Sequence, residues 1–231
     1  MVNVFTLDLG GVNCYLIEND KQFILIDTGG HMFMDKEYDG RLERLKQQLV
    51  ENGVTSNNLN LLVLTHGDCD HVFNAAYIQK EYNVPVAMSQ KDAWMVQNPE
   101  WDCYKVNTKY SSKVVSLVFC LLTKKIEKLM KKVYSEFKTF TPDVFLTEGD
   151  TLENYGYNAK IYSTPGHTEG SISILDVEGN LFCGDIWGNN KKPSVAMNAQ
   201  DFIVLKEQAK RLANMPVKTI YPGHGKPFEV S

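Results

Sequence analysis

Four short motifs rich in histidine and aspartate follow predicted strands, and they constrain the fold more than any other feature of the sequence. The first is THGDCDH at 65–71, and the others are PGHTEGS at 165–171, CGD at 183–185 and PGHG at 222–225. A strand holds its end rigidly, and a glycine-rich turn lets the backbone bend until a side chain reaches a common centre. Since four of the five histidines lie in these motifs, the pattern predicts a shared metal site.

The candidate metal ligands are the histidine and aspartate side chains of these motifs. They are His66, Asp68, Asp70, His71, His167, Asp185 and His224. Each motif alone is a weak signal, because an isolated histidine is more often a satisfied core or surface residue than a ligand. Four such motifs, each at the end of a predicted strand, favour one common site instead.

Three further residues lie close to the motifs. His31 follows the sequence DTGG at 27–30, and we interpret it as an exposed loop histidine, with metal binding or substrate contact left open. Cys69 lies inside the first motif and Cys183 begins the third. We interpret both as small packing residues, because a free cysteine behaves as a buried hydrophobe.

The order of strand and helix patterns predicts the fold class. Short apolar runs broken by glycine and Asn-Asp open the chain and predict an antiparallel sheet. Strands and helices then alternate, and a second set of strands follows with one helix near 200–214. Two sheets covered by helices form a four-layer αββα sandwich of the α/β class. We expect a single domain over 1–231, with a helical insertion at about 89–143.

The insertion contains one long helical pattern between 111 and 140. Its first part, KVVSLVFCLL, is apolar on nearly all sides, and its second part has an apolar stripe opposite a lysine-rich face. The apolar part is shorter than the roughly 18 residues that span a bilayer. We therefore interpret it as a core helix or a homodimer contact, in preference to a membrane-surface or acyl-chain-binding helix.

Composition excludes several classes of protein. The chain has 24 Lys and Arg against 28 Asp and Glu, and a net charge of -4 argues against binding of nucleic-acid phosphates. Five cysteines without C-x-x-C spacing indicate neither a disulfide framework nor a thiolate zinc site. The opening MVNVFTLDLGG lacks the basic and apolar pattern of a signal peptide. We expect a cytoplasmic protein without nucleic-acid partners or stable membrane insertion.

In this order the motifs resemble those of the metallo-β-lactamase superfamily, and the similarity runs from Asp27 to Gly225. The resemblance implies a first metal site, a second metal site and one carboxylate that bridges them. The first site would consist of His66, Asp68 and His167, the second of Asp70, His71 and His224, and the bridge would be Asp185. It also implies a catalytic role for Asp70, while Asp27 would hold ligands in place.

The resemblance further implies a hydrolase with two divalent metal ions, for which we expect zinc. In such an enzyme a metal-bound hydroxide attacks the carbonyl of an ester, thioester or lactone. Glyoxalase II and the acyl-homoserine lactone lactonases are the branches that this chain resembles. We therefore expect a small-molecule acyl substrate.

Asp68 departs from the usual family pattern His-x-His-x-Asp-His. An anionic oxygen ligand in place of a neutral imidazole favours iron or manganese at the first site more than three histidines would. Flavodiiron proteins, a redox branch of the superfamily, have an acid at the matching position. A diiron redox enzyme or sensor is therefore an alternative function, and a binding protein with an impaired site is a third.

Overall fold

The described residues, 2–31, 40–99 and 108–230 of the computed structural model, form two large sheets with helices on their outer faces. In chain order, the strands are β1 (Asn3–Asp8), β2 (Asn13–Asn19), β3 (Gln22–Ile26), β4 (Leu59–Val63), β5 (Val86–Met88), β6 (Lys109–Tyr110), β7 (Val144–Phe145), β8 (Ala159–Ser163), β9 (Ile172–Asp176), β10 (Asn180–Asn189), β11 (Ser194–Val195), β12 (Asn198–Ala199), β13 (Thr219–Gly225) and β14 (Phe228–Glu229). The helices are α1 (Arg41–Glu51), α2 (Cys69–Val72), α3 (Ala75–Tyr82), α4 (Ala93–Gln97), α5 (Lys113–Glu136) and α6 (Phe202–Ala213), and short 3-10 helices lie at Gln90–Asp92 and Glu153–Tyr155.

The two sheets differ in their strand directions. The first sheet has the order β1-β2-β3-β4-β5-β7, and it is antiparallel up to β3 and parallel beyond it. The second sheet has the order β14-β13-β10-β9-β8, with β11 paired to β10. Strands β6 and β12 form a separate antiparallel pair. The predicted antiparallel start of the chain is therefore confirmed.

A hydrophobic core fills the space between the two sheets. It contains Ile26 and Val63 from the first sheet and Ile161 and Ile174 from the second. Along β2, odd-numbered side chains such as Tyr15 enter this core, while the even-numbered ones face the outer helices. This alternation follows from the two-residue period of a strand.

The outer face of each sheet is covered by helices. Leu45 of α1 and Ile78 of α3 pack on the first sheet. Leu205 and Leu212 of α6 pack on the second. Helix, sheet, sheet and helix form four layers, which confirms the predicted αββα sandwich.

The predicted insertion contains α4, β6 and α5, while its residues 100–107 lie outside the described ranges. The second half of α5 packs inward through Met130 and Val133, which contact Cys69. In the first half, Leu117 and Leu121 are exposed to solvent. A core helix is therefore wrong for this half, and the alternative of a homodimer contact stays a prediction. Within the described ranges, no helix combines the length and the apolar character needed to cross a bilayer.

Strand β10 bends where it passes the first motif. Its register with β13 shifts on both sides of Gly184, and Gly184 has a φ of 51°. A Cβ atom at this position would lie 2.8 Å from Thr65 Oγ1, so only glycine allows this close approach. The irregularity directs the next residue, Asp185, towards the edge where the motifs meet.

Candidate metal centre

The candidate ligands form two adjoining groups at one edge of the sandwich, and a third group, His66, His71 and Asp185, overlaps both. The ligand atoms of each group lie within 4.8 Å of one another. The first group is His66, Asp68 and His167, and the second is Asp70, His71 and His224. The structure therefore brings together side chains that are separated by up to 158 positions in the sequence, since the first is residue 66 and the last is residue 224.

Asp185 lies between the two groups. One carboxylate oxygen, Oδ1, is 3.3 Å from His71 Nε2, which belongs to the second group. The other oxygen, Oδ2, is 3.6 Å from His167 Nε2 in the first group and 3.2 Å from His224 Nε2 in the second. A single carboxylate is thus in reach of both groups.

The first group is held by a short network of polar contacts. Asp68 Oδ2 lies 3.0 Å from His167 Nε2 and 3.8 Å from His66 Nε2. On its far side, His167 Nδ1 lies 3.0 Å from the Asn198 carbonyl oxygen. That contact fixes the orientation of the ring, so Nε2 is the nitrogen that faces the site.

The second group depends on Asp27, which lies in the loop after β3. Asp27 Oδ2 is 2.8 Å from His71 Nδ1. The same carboxylate accepts hydrogen bonds from Thr65 N and Thr65 Oγ1, both at 2.8 Å. Asp27 has a φ of 59°, and such a left-handed conformation costs free energy for a residue with a Cβ atom. These contacts compensate for that cost and hold the His71 ring in place.

His224 is held from the opposite sheet. Its Nδ1 atom lies 2.6 Å from the Gly11 carbonyl oxygen, and its Nε2 atom lies 3.3 Å from Asp70 Oδ2. The backbone of the fourth motif is fixed by β2, since Tyr15 Oη donates to the Pro222 carbonyl at 2.6 Å and Asn13 Nδ2 donates to the Gly225 carbonyl at 2.6 Å. These two polar residues were missed by the sequence analysis because no motif surrounds them.

The residues present fit a pair of divalent cations. His66 Nε2, His71 Nε2 and Asp185 Oδ1 are buried and have no hydrogen-bond partner in the described ranges. Leaving a buried polar atom unsatisfied costs about 1–3 kcal/mol. Cations held by these atoms would remove that cost, and a mixed set of imidazole nitrogens and carboxylate oxygens suits zinc, manganese or iron.

The charges around the candidate ligands also fit bound cations. Burial lowers the pKa of His71, but Asp185, Asp27 and Asp70 outweigh burial and raise the pKa well above its usual value. Burial likewise lowers the pKa of His167, yet the contact with Asp68 raises it to about 9. The surrounding carboxylates thus stabilise positive charge on these rings, and the same negative charge would stabilise bound cations.

Asp92 supports the first group and carries no sequence signal of its own. Its carboxylate is buried and accepts hydrogen bonds from Gly67 N at 2.9 Å, Thr168 Oγ1 at 2.7 Å and Gly170 N at 2.8 Å. Burial raises the pKa of Asp92 to about 6. Gly67 belongs to the first motif and Thr168 to the second, so one carboxylate ties together two loops that carry candidate ligands.

A shallow polar cleft lies beside the first group. Asp68 and His167 form part of its lining. The remaining lining residues carry hydroxyl, amide or methyl groups, and they are Thr108, Thr168, Asn198, Ala199 and Gln200. The cleft therefore offers hydrogen-bonding groups next to the candidate ligands.

The predictions made for His31, Cys69 and Cys183 have different outcomes. The interpretation of His31 as an exposed loop residue is wrong, because only 8 % of it is exposed and its ring packs edge-on against Phe73 at 4.8 Å. Among the described residues, no group of potential ligands includes His31. Cys69 and Cys183 are buried, as predicted for packing residues.

A four-layer αββα sandwich with histidine and aspartate side chains gathered at one edge defines a class of metal-binding proteins. The family model described as the metallo-beta-lactamase superfamily matches residues 7–224. The chain belongs to this superfamily, which confirms the resemblance inferred from the motifs.

Two curated relatives carry hydrolase names. A hydroxyacylglutathione hydrolase from Haemophilus influenzae is 28% identical over 178 residues, which cover 75% of this chain and 66% of that protein. The chain thus spans slightly less than two thirds of that relative. A probable metallo-hydrolase from Methanocaldococcus jannaschii is 27% identical over 217 residues, covering 92% of this chain and 87% of that protein. These names make metal-dependent hydrolysis the first activity to test for this chain.

Solved structures share the same fold. A metallo-beta-lactamase family protein from Thermus thermophilus superimposes with a TM-score of 0.71 and 20% identity, covering 99% of this chain and 74% of that one. A second protein, crystallised in a di-iron-bound form, has a TM-score of 0.65 and 22% identity, covering 99% of this chain and 94% of that one.

Proposed function

We propose that this protein is a metal-dependent hydrolase that cleaves the ester, thioester or lactone bond of a small acyl compound, using two divalent metal ions. The observation that carries the proposal is the position of Asp185, whose two oxygens reach His71 of one group and His167 of the other. A carboxylate in this position can serve two cations at once. Two bound cations would lower the pKa of a shared water molecule and polarise the acyl carbonyl.

The first cation would be held by three side chains that share one small space. His66 and His167 would each present Nε2, and Asp68 would present Oδ2, which lies between the two rings. The second cation would be held by Asp70, His71 and His224. We expect zinc at the second position, while the extra carboxylate of Asp68 makes iron or manganese an alternative at the first.

Asp70 has a further role in this proposal. Burial acts to raise its pKa, but the neighbouring His71 and His224 outweigh burial and keep the pKa below its ordinary value. The carboxylate is therefore ionised at neutral pH. Its Oδ2 atom lies beside His224 on a partly exposed side of the site, where it can accept a hydrogen bond from the attacking water and orient it.

The polar cleft beside the first group supports an acyl substrate with hydrogen-bonding groups. Buried Thr168 and partly exposed Asn198 and Gln200 line it. The Thr168 hydroxyl already donates to Asp92, but a purely hydrocarbon chain would cover the side-chain amides of Asn198 and Gln200 without offering them hydrogen bonds, which is unfavourable. Hydroxyacylglutathione, the compound in the name of one relative, is a polar thioester and is therefore included among the compounds to test.

The test is an assay of apoprotein reloaded separately with zinc, manganese and iron. Each form is given an acyl ester, a hydroxyacylglutathione thioester and an acyl lactone. We expect metal-dependent hydrolysis of at least one compound, and loss of that activity in Asp70→Asn. The matched control is Asp176→Asn, a buried carboxylate hydrogen-bonded to Tyr157 Oη at the far end of β9. If every metal-loaded form hydrolyses all three compounds no faster than the apoprotein does, the proposal is refuted.

One observation favours a diiron redox enzyme or sensor as the second candidate. Asp68 gives the first group a carboxylate 3.0 Å from His167 Nε2, and oxygen-rich sites favour iron over zinc. A redox reaction would require an external electron donor. Protein produced in iron-supplemented medium would then hold two iron ions, with a visible absorption band that changes on reduction. A colourless protein that retains zinc in that medium excludes this candidate.

A further inference from the structure

The first half of α5 exposes a regular apolar stripe. Val114, Leu117, Val118 and Leu121 are 72%, 60%, 47% and 77% exposed, respectively. Their spacing of three and four residues places them on one side of the helix. Single exposed apolar residues are ordinary, but a contiguous stripe of this kind indicates an interaction surface.

The same side of α5 continues into a cluster of lysines. Lys124, Lys125 and Lys128 are exposed one to two turns further along the helix. The helix contains six lysines and two glutamates, whereas the whole chain has a net charge of -4. Of the two acids, Glu127 pairs with Lys131 at 2.8 Å, and Glu136 lies at the end of the helix. Positive charge is therefore concentrated directly beside the apolar stripe.

The opposite side of α5 is already occupied by the body of the protein. Met130 and Val133 are buried against Cys69. In the first half, the Phe119 ring stacks on Tyr110 with a centroid distance of 4.1 Å and an angle of 12°. The helix is thus fixed at both ends in an orientation that presents the stripe and the lysines outward.

We propose that this face of α5 docks on the surface of an anionic lipid bilayer. Apolar side chains of an interfacial helix enter the boundary between headgroups and acyl chains, while adjacent lysines remain beside anionic headgroups. The exposed stripe and the lysine cluster match these two layers. Docking would be peripheral, because the helix lies along the surface and does not cross the bilayer.

A second copy of the chain fits this face less well. Antiparallel pairing over the whole helix would lay the lysines of one copy against the apolar stripe of the other. Parallel pairing would place the two lysine clusters side by side, where like charges repel. The charge pattern therefore favours anionic lipid over self-association.

Docking would place α5 between the lipid surface and the loop of the first motif. The inner side of α5 contacts Cys69, which lies between the candidate ligands Asp68 and Asp70. Just before the helix, Tyr110 of β6 pairs with Asn198 of β12, which lines the polar cleft. The pairing of β6 with β12 therefore connects the start of α5 to the cleft.

The first experiment is sedimentation of the full chain with two kinds of vesicle. One contains phosphatidylcholine alone, and the other also contains phosphatidylserine. We expect binding to the anionic vesicles at least about tenfold tighter than to the neutral ones, weakening as salt rises. Failure to sediment with either kind of vesicle overturns the proposal.

Paired variants separate the two parts of the surface. Leu117→Gln with Leu121→Gln removes apolar area without adding charge, and Lys124→Glu with Lys128→Glu reverses two charges. Each double substitution should weaken the binding of the protein to anionic vesicles about tenfold or more. All four side chains are exposed, so the fold should be kept, which circular dichroism can verify.

Matched controls lie on α6. Ile203 is 73% exposed, and Lys206 and Lys210 are exposed on the same helix. Ile203→Gln, and Lys206→Glu with Lys210→Glu, should leave vesicle binding unchanged. If the α6 variants lose as much vesicle binding as the α5 variants do, the binding is not specific to the α5 face. A dimer in light scattering that Leu117→Gln dissociates, without vesicle binding, would assign the face to a second copy and refute the proposal.

Discussion

Asp27 Oδ2 lies 2.8 Å from His71 Nδ1, and the opposite nitrogen of the same ring lies 3.3 Å from Asp185 Oδ1. One ring nitrogen is therefore hydrogen-bonded to Asp27, and the other faces the candidate metal centre. This arrangement fixes the tautomer in which Nε2 is free to bind a cation. The geometry of the centre thus depends on a residue that would not itself touch metal.

The first prediction is that Asp27→Asn weakens metal binding at the second group. Whichever way the amide turns, its NH2 group faces either His71 Nδ1 or the Thr65 amide, and two donors then oppose each other. Loss of such a supporting contact typically costs about 10- to 100-fold in metal affinity. Competition between the protein and a chromophoric chelator measures the change. An unaltered affinity for both cations would contradict the supporting role.

The second prediction concerns Asp92, which joins the loops of His66 and His167. In Asp92→Asn the amide group must oppose the N–H of Gly67 or of Gly170, both of which now donate to the carboxylate. We expect affinity for the cation at the first group to fall about 10- to 100-fold, with the second group little affected.

The control for Asp92 is Asp176→Asn. Asp176 is also a buried carboxylate, and it accepts hydrogen bonds from Tyr157 and Asn180 away from the candidate ligands. Both variants should lower the temperature of unfolding, but only Asp92→Asn should change metal affinity. If the two variants bind metal equally well, Asp92 is only a structural residue.

The third prediction is that Asp68→His raises zinc uptake at the first group and shifts its preference away from manganese and iron. The change replaces an anionic oxygen with a neutral imidazole, which is a softer ligand. Asp68 is buried and its Oδ2 atom lies 3.0 Å from His167 Nε2, so the larger ring must displace a neighbour slightly. Competition among the three metals measures the effect. The same metal preference in both proteins would show that residue 68 does not tune the site.

Much of the fold was predictable because its signals are local. The apolar alternation of β2 and the glycine-rich turn before His167 identify strands and their ends without knowledge of the partner sheet. The candidate ligands were predictable because each lies in a short motif at a predicted strand end, although Asp185 lies within β10 and His224 within β13. Their order along the chain then indicated a common edge.

Other features depend on contacts that no local pattern encodes. Asp92 accepts hydrogen bonds from residues 25 to 78 positions away, and nothing in its immediate sequence distinguishes it from an exposed acid. His31 is buried because its ring packs against Phe73, which is brought close only by the tertiary fold. Which part of α5 lies in the core was not predictable, because an apolar helix pattern does not reveal which side meets the protein.

The last prediction tests the central claim, that Asp185 serves two cations. Its oxygens reach His71 and His224 in the second group and His167 in the first, so Asp185→Asn should weaken both sites together. The measurement is metal stoichiometry and affinity of the native and Asp185→Asn proteins, by titration of the apoproteins followed by elemental analysis. The account predicts two ions for each native chain and a parallel loss of affinity for both in the variant. A native chain that binds one ion, or a variant that loses one ion and keeps the other with unchanged affinity, would contradict it.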